Sequence, residues 1–193
     1  MNLREIIAYH DINGHEKDGG TDKDTFHSYI EMYERFLAPM AEKQITLMEV
    51  GIQYGGSMLL WQDYLPTAKC IFLDNIDSVH SNIYQKLNNK RCKLLFQDAY
   101  TADSVKQVKK LAPLGLDIAI DDGPHTLESQ CQFLALYLPL LTEGGVAIVE
   151  DVQDVSWFDS LEQQVPEGYV YERIDLRSVK GRYDDLVFAV TRQ

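Results

Sequence analysis

From Ile45 to Asp151 the sequence alternates two kinds of segment: a short apolar run ending in polar or acidic residues, then a stretch of helical periodicity. The runs are ITLMEV, CIFLD, KLLF, LDIAID and GVAIVED; helical segments pass through MLLWQDYL, IYQKL, SVKQVKKL and ESQCQFLALYLPLL between them. Strands joined by helices of about ten residues are parallel, because each helix carries the chain back across the sheet. A parallel sheet is covered on both faces, so its strands are continuously apolar rather than alternating.

Two more runs, YVYERIDL and DLVFAVTR, flank SVKGRYD and read as an antiparallel hairpin at one edge. The pattern predicts a Rossmann-like, doubly wound α/β sheet, mostly parallel and seven-stranded, with a C-terminal antiparallel hairpin and helices on both faces. Ahead of it, Leu3, Ile6 and Ile7 mark a short helix, and Phe26, Tyr29, Ile30, Tyr33, Phe36 and Leu37 share one face of a second. Between these, residues 11–24, DINGHEKDGGTDKD, read as an exposed loop.

At 193 residues and 45% hydrophobic content the chain suits one domain, with residues 1–44 as a helical cap or lid and 45–193 as the core. A formal charge of -12 argues against nucleic acid or an anionic membrane as partner, since phosphate binding needs concentrated positive charge. Cys70, Cys92 and Cys131 lie far apart without CxxC spacing, which fits a reduced, intracellular compartment. The first twenty residues lack a secretory pattern and no apolar stretch reaches membrane-spanning length, so the expected location is cytoplasmic.

In such sheets ligands bind outside the carboxyl ends of the strands, where strand order reverses. The first run ends in EVGIQYGGS, whose Gly51, Gly55 and Gly56 serve either a tight structural turn or the close approach of a ligand. Their spacing is not G-x-G-x-x-G. The second ends at Asp74, placed either to accept ribose hydroxyls or to cap a helix. The third ends in Gln97 and Asp98, which can bond the edge of a purine.

The fourth and fifth runs end in Asp121-Asp122 and Glu150-Asp151. If those strands are neighbours, about 4.8 Å apart, the carboxylates crowd one volume and need a positive charge among them or pairing with Lys and Arg. A divalent cation is the economical answer, and oxygen ligands favour Mg²⁺ or Ca²⁺, with Mn²⁺ as an alternative. Strand alternation separates Asp121 from Asp122. Asp122, nearer the loop, is expected as the ligand, with Glu150 and Asp151 opposite. His125 follows Gly123-Pro124 and is better matched to a base than to a ligand beside a hard cation.

With these positions in order, the chain resembles the class I S-adenosylmethionine-dependent methyltransferases, and more closely the metal-dependent sugar O-methyltransferases of macrolide biosynthesis. The resemblance rests on GTDKDTFHSYIEMYERFLAP, LMEVGIQYGGSMLLWQDYLPTAKCIFLD, FQDAY, LDIAIDDGPHT with Gln130, and LYLPLLTEGGVAIVEDVQD. It implies that Glu49, Gly51, Tyr54 and Ser57 line the cofactor turn, that Asp74 and Asn75 hold the ribose, and that Gln97 and Asp98 flank the adenine. Asp121 would steady the cofactor site, and Thr21, Lys23, His27 and Tyr29 would lie in a segment that closes over it. The metal ligands would be Asp122, Glu150 and Asp151, with His125 as general base.

Two positions depart from the family pattern: Pro124 replaces a usual serine, and FLDN stands where a GIDI-like sequence is typical. The implied reaction is methylation of a sugar hydroxyl in a glycan, glycoside or deoxysugar with vicinal hydroxyls, S-adenosyl-L-methionine and Mg²⁺ (or Mn²⁺) being the cofactors. A homo-oligomer is a further implication. Competing readings are a catechol-type O-methyltransferase, a non-catalytic methyltransferase-like scaffold, and a nicotinamide-dependent oxidoreductase, the last disfavoured by the glycine spacing.

Overall fold

A computed structural model describes residues 1–14 and 19–193. Strands β1 (Thr46–Val50), β2 (Lys69–Asp74), β3 (Cys92–Phe96), β4 (Leu116–Asp121) and β5 (Leu141–Val149) run parallel. Strands β6 (Tyr169–Asp175) and β7 (Leu186–Arg192) form the antiparallel hairpin, and β7 lies inside, between β5 and β6. The order of the single sheet is β3-β2-β1-β4-β5-β7-β6. Strand order reverses between β1 and β4, which opens a crevice above their carboxyl ends.

Helices α1 (Leu3–His10), α2 (Ile30–Leu37), α3 (Gly56–Tyr64) and α4 (Ser81–Lys86) cover one face. Helices α5 (Ala102–Leu111), α6 (Leu127–Tyr137) and α7 (Trp157–Glu162) cover the other. Strand residues divide by parity: Leu47, Phe72, Ile118, Ile120 and Ile148 pack under α1–α4, whereas Met48, Ile71, Ala119 and Val149 pack under α5–α7. The same parity carries past the strand ends. Glu49, Asp122 and Glu150 face the N-terminal side, where they meet Lys23, and Asp121 faces Tyr100 on the other.

Three expectations are corrected. The second helix begins at Ile30, not Phe26, and Phe26 is 38% exposed; residues 22–29 form turns that aim Lys23, His27 and Tyr29 into the sheet instead. The fourth connecting helix stops at Tyr137, because Pro139 cannot continue it and lies in a 3-10 turn, and β5 starts at Leu141, ahead of the expected Gly145. The loop expected to be exposed has residues 15–18 outside the described residues, but its flank is buried at Gly19, Thr21 and Lys23. Between β6 and β7 the chain adds a short helix, α8 (Arg177–Lys180). No helix of the described residues is long and apolar enough to cross a membrane.

Candidate active site

A cleft of ≈ 740 Å³ crosses the carboxyl ends of the strands. Of the residues expected from sequence, Gly51, Asp74, Asn75, Gln97, Asp98, Asp122, His125 and Asp151 line it. Asp22, Ser78, Tyr100, Thr126, Glu128 and Gln132 also line it and were not singled out from sequence. Asp22 and Tyr100 adjoin marked residues, so proximity could have found them; no spacing signal marks Ser78 or Gln132.

The glycine turn is shaped by close approach. Gly51 has φ 81°, and a Cβ there would sit 1.8 Å from the Asp122 carbonyl oxygen, so only glycine lets β1 leave beneath the β4 exit. A Cβ on Gly56 would sit 2.2 Å from the Gly20 carbonyl carbon, which presses the N-terminal segment onto the start of α3. Asp74 fastens this turn: its Oδ2 accepts from the amides of Ile52 (3.0 Å) and Gln53 (3.1 Å), and its Oδ1 from Ile76 (3.1 Å). Of the two roles open from sequence, helix capping is not the one observed, because His80 caps α4. A carboxylate has about four acceptor sites, so Asp74 keeps capacity for a ligand.

At the far end, Gln97 Nε2 donates to Ser104 Oγ (2.6 Å) and its Oε1 accepts from Gln107 (2.7 Å), which fixes the amide's orientation. Asp98 Oδ1 accepts from the Tyr100 amide (2.9 Å), and the residue stays exposed.

Near β4 and β5 the acidic residues divide. Lys23, 0% exposed, donates from Nζ to Asp122 Oδ2 (2.7 Å) and to both oxygens of Glu150 (2.8 and 2.9 Å), and lies 3.7 Å from Glu49 Oε1. Burial works against the lysine's charge, but Asp122, Glu150 and Glu49 together hold its pKa well above the ordinary value. The acids outnumber it. Burial, only partly offset by Lys23, pushes Glu49 up to about 7 and Asp122 up to about 6, and raises Glu150 well above its ordinary value. Asp121, on the other face, is pushed up to about 7 by burial, while the Tyr100 hydroxyl donating to it at 2.5 Å acts in the opposite direction.

Asp151 accepts from the Tyr29 hydroxyl (2.5 Å) and lies 3.3 Å from His27 Nδ1, and Tyr33 donates to Glu150. His125 Nε2 stands 3.8 Å from Asp122 Oδ1 and 3.6 Å from Asp151 Oδ2, with a third of its side chain exposed to the cleft. Gln53, His125 and Asp151 all adopt positive φ (42°, 53° and 51°), uncommon for residues other than glycine. Backbone strain of this kind gathers where a site must be held in shape. Gln130 supports it, donating from Nε2 to the carbonyls of Glu150 (2.9 Å) and Asp151 (3.3 Å).

Several expected residues sit beside the cleft rather than on its wall. Glu49 and Ser57 are buried beneath it, bonded to each other at 2.7 Å, and Thr21, Tyr29, Asp121 and Glu150 are also buried. Tyr54 is part-buried and does not line it. Lys23, expected only in the closing segment, is the cation among the acids.

Among the described residues, two groups of side chains present ligand atoms within 4.8 Å of one another: Asp122, His125 and Asp151; and His27, Asp184 and Asp185. In the second, Asp184 is held by both arms of Arg182 (3.0 and 2.8 Å), and none of the three lines the cleft. The first group opens to the cleft, carries hard oxygen donors, and lies where one ammonium faces several buried carboxylates. Those features fit a divalent cation.

This strand order, with its inserted antiparallel hairpin and acidic strand ends, defines the Rossmann-like methyltransferase fold. Within it, the chain resembles sugar O-methyltransferases of antibiotic pathways. No model of a known protein family matches the chain. It is 27% identical over 146 residues to the 8-demethyl-8-alpha-L-rhamnosyl tetracenomycin-C 2'-O-methyltransferase of Streptomyces olivaceus, covering 72% of this chain and 36% of that one. The MycE methyltransferase of the mycinamycin biosynthetic pathway, solved with Mg, SAH and mycinamycin VI, superposes with TM-score 0.71 at 17% identity, over 100% of this chain and 54% of that one. An O-methyltransferase from Bacillus cereus solved with SAH gives TM-score 0.68 at 14% identity, over 98% and 90% of the two chains. The chain spans about a third of the length of the antibiotic-pathway relatives it matches.

Proposed function

We propose that the chain is an S-adenosylmethionine-dependent, divalent-metal-assisted O-methyltransferase acting on a hydroxyl of a sugar carried by a glycoside, glycan or deoxysugar. The observation that carries the reading is the convergence of Asp122, His125 and Asp151 on one end of a cleft whose other wall is formed by the glycine turn and Asp74. The similarity to rhamnosyl and mycinamicin O-methyltransferases supports the sugar acceptor. The negative charge of the chain counts against a nucleic acid acceptor.

In this proposal Asp74, fixed by three backbone amides, receives the ribose hydroxyls. Gln97 and Asp98 meet the adenine edge, and Gly51 leaves room for the cofactor's close approach. S-adenosylmethionine supplies a methyl group on a cationic sulfur. Asp122 and Asp151, with Glu150 behind them, would hold a divalent cation, whose Lewis acidity would lower the pKa of an acceptor hydroxyl. His125, exposed to the cleft with Nε2 3.8 Å from Asp122 and 3.6 Å from Asp151, takes the hydroxyl proton at Nε2, a contribution of about 10²–10⁴ in rate. Placing two vicinal oxygens against the acidic end orients one for in-line attack. The described part of residues 1–44 acts as a cap on the core, with Tyr29 and Lys23 reaching the acids.

The test is transfer of a labelled methyl group to a panel of rhamnosides, other deoxysugar glycosides and catechols. Expected is an O-methylated glycoside, formed with Mg²⁺, lost with EDTA and reduced about 10²-fold or more in His125→Ala. Preferred methylation of catechols would replace the sugar with that acceptor. Undiminished transfer by folded His125→Ala in EDTA would sink the mechanism, and failure to bind cofactor at all would favour a scaffold.

A further inference from the structure

We propose that Lys23 is a built-in competitor of the divalent cation: its ammonium gathers Asp122 and Glu150 in the metal-free chain, and a metal ion enters by displacing it. The inference rests on the metal-assisted reading and adds an exchange step to it.

Lys23 has no exposed surface, and all three of its donors are spent on the carboxylates of Asp122 and Glu150. These are two of the three residues proposed to meet the cation. Glu49 stands 3.7 Å away with Oε1 buried and without a hydrogen bond, so a single positive charge serves three acids, Glu49 and Glu150 fully buried and Asp122 partly so. When ionised, three carboxylates outnumber the one ammonium, and a dication neutralises them better. The third proposed ligand is engaged from the same N-terminal stretch, Tyr29 donating to Asp151, while Tyr33 donates to Glu150. Every acid proposed to meet the metal is therefore occupied by a side chain from residues 23–33. A metal ion and the lysine cannot both claim both oxygens of Glu150.

The test has two arms, neither of which reads activity. In the first, Mn²⁺ binding is measured by electron paramagnetic resonance on the parent chain and on Lys23→Met, which keeps the length of the side chain and removes its charge. Expected is tighter binding by the variant, by about tenfold or more, because the ion no longer has to displace an ammonium from Asp122 and Glu150. A lysine that only builds the site would give equal or weaker binding on removal. In the second arm the parent chain is labelled with acetic anhydride and read by mass spectrometry: Lys23 stays unmodified without metal and becomes reactive at saturating Mn²⁺. Equal or weaker Mn²⁺ binding by a folded Lys23→Met, or a Lys23 that stays protected in saturating Mn²⁺, overturns the exchange. If Lys23→Met does not fold, the labelling of the parent decides alone. If the parent binds no Mn²⁺, the metal-assisted reading fails too, whereas binding without exchange removes this inference only.

Discussion

Replacing Glu49 with Gln isolates the cost of one buried carboxylate. Glu49 is 0% exposed, and burial pushes its carboxyl from 4.5 up to about 7, with the attraction of Lys23 at 3.7 Å working the other way. A carboxyl whose pKa is raised by folding binds its proton more tightly in the native state than in the unfolded one. The protonated carboxyl's contribution is therefore fully present below about pH 4.5 and is lost as pH climbs through about 7. At ~1.4 kcal/mol per pH unit between the two ionisation points, the loss is about 3 kcal/mol. Glutamine is neutral throughout and can still accept from Ser57 Oγ, the partner Glu49 holds at 2.7 Å. Urea melts followed by circular dichroism from pH 4 to 8, in EDTA, should show the two proteins converging in relative stability at low pH. The variant should then gain about 3 kcal/mol over the parent by pH 8, equivalent to roughly 6–12 °C in melting temperature for a chain of this size. Parallel curves for parent and variant across that range would refute the burial argument.

Gly51→Ala places a methyl group 1.8 Å from the Asp122 carbonyl at φ 81°, so a loss of about 3 kcal/mol or more in thermal melts is expected, with weaker cofactor binding by calorimetry. Asp74→Asn keeps the size but not the charge behind three amide contacts; it should cost about 1–2 kcal/mol in stability and lower affinity for S-adenosylhomocysteine about tenfold or more. Gln130→Leu removes the donor that holds the carbonyls of Glu150 and Asp151, and about 1–3 kcal/mol should be lost in urea melts.

The parallel core was legible because five apolar runs and the helices between them admit few other folds, and the hairpin because its strands are joined by a short polar stretch. That β7 lies inside and β6 outside was not legible, since pairing choice depends on which strand buries both faces: β7 is buried almost throughout and β6 is mostly exposed. The separation of Asp121 from Asp122 followed from strand parity, and the structure adds where each one points. The role of Lys23 was hidden because it lies 99 residues from Asp122 and 127 from Glu150. A local pattern cannot show which cation a folded chain will bring to an acid. Phe26 falls on the apolar period of the second helix, so the pattern alone places its start too early; tertiary contacts of Lys23, His27 and Tyr29 dictate the backbone there.

The most direct measurement is a crystal structure of the chain with S-adenosylhomocysteine and Mn²⁺, read by the anomalous signal of the manganese. Expected are a manganese peak at the carboxylates of Asp122 and Asp151, His125 facing the open side, and the ribose on Asp74. A nucleoside bound elsewhere in the cleft, or a well-occupied cofactor with manganese absent from those aspartates at saturating concentration, would contradict it.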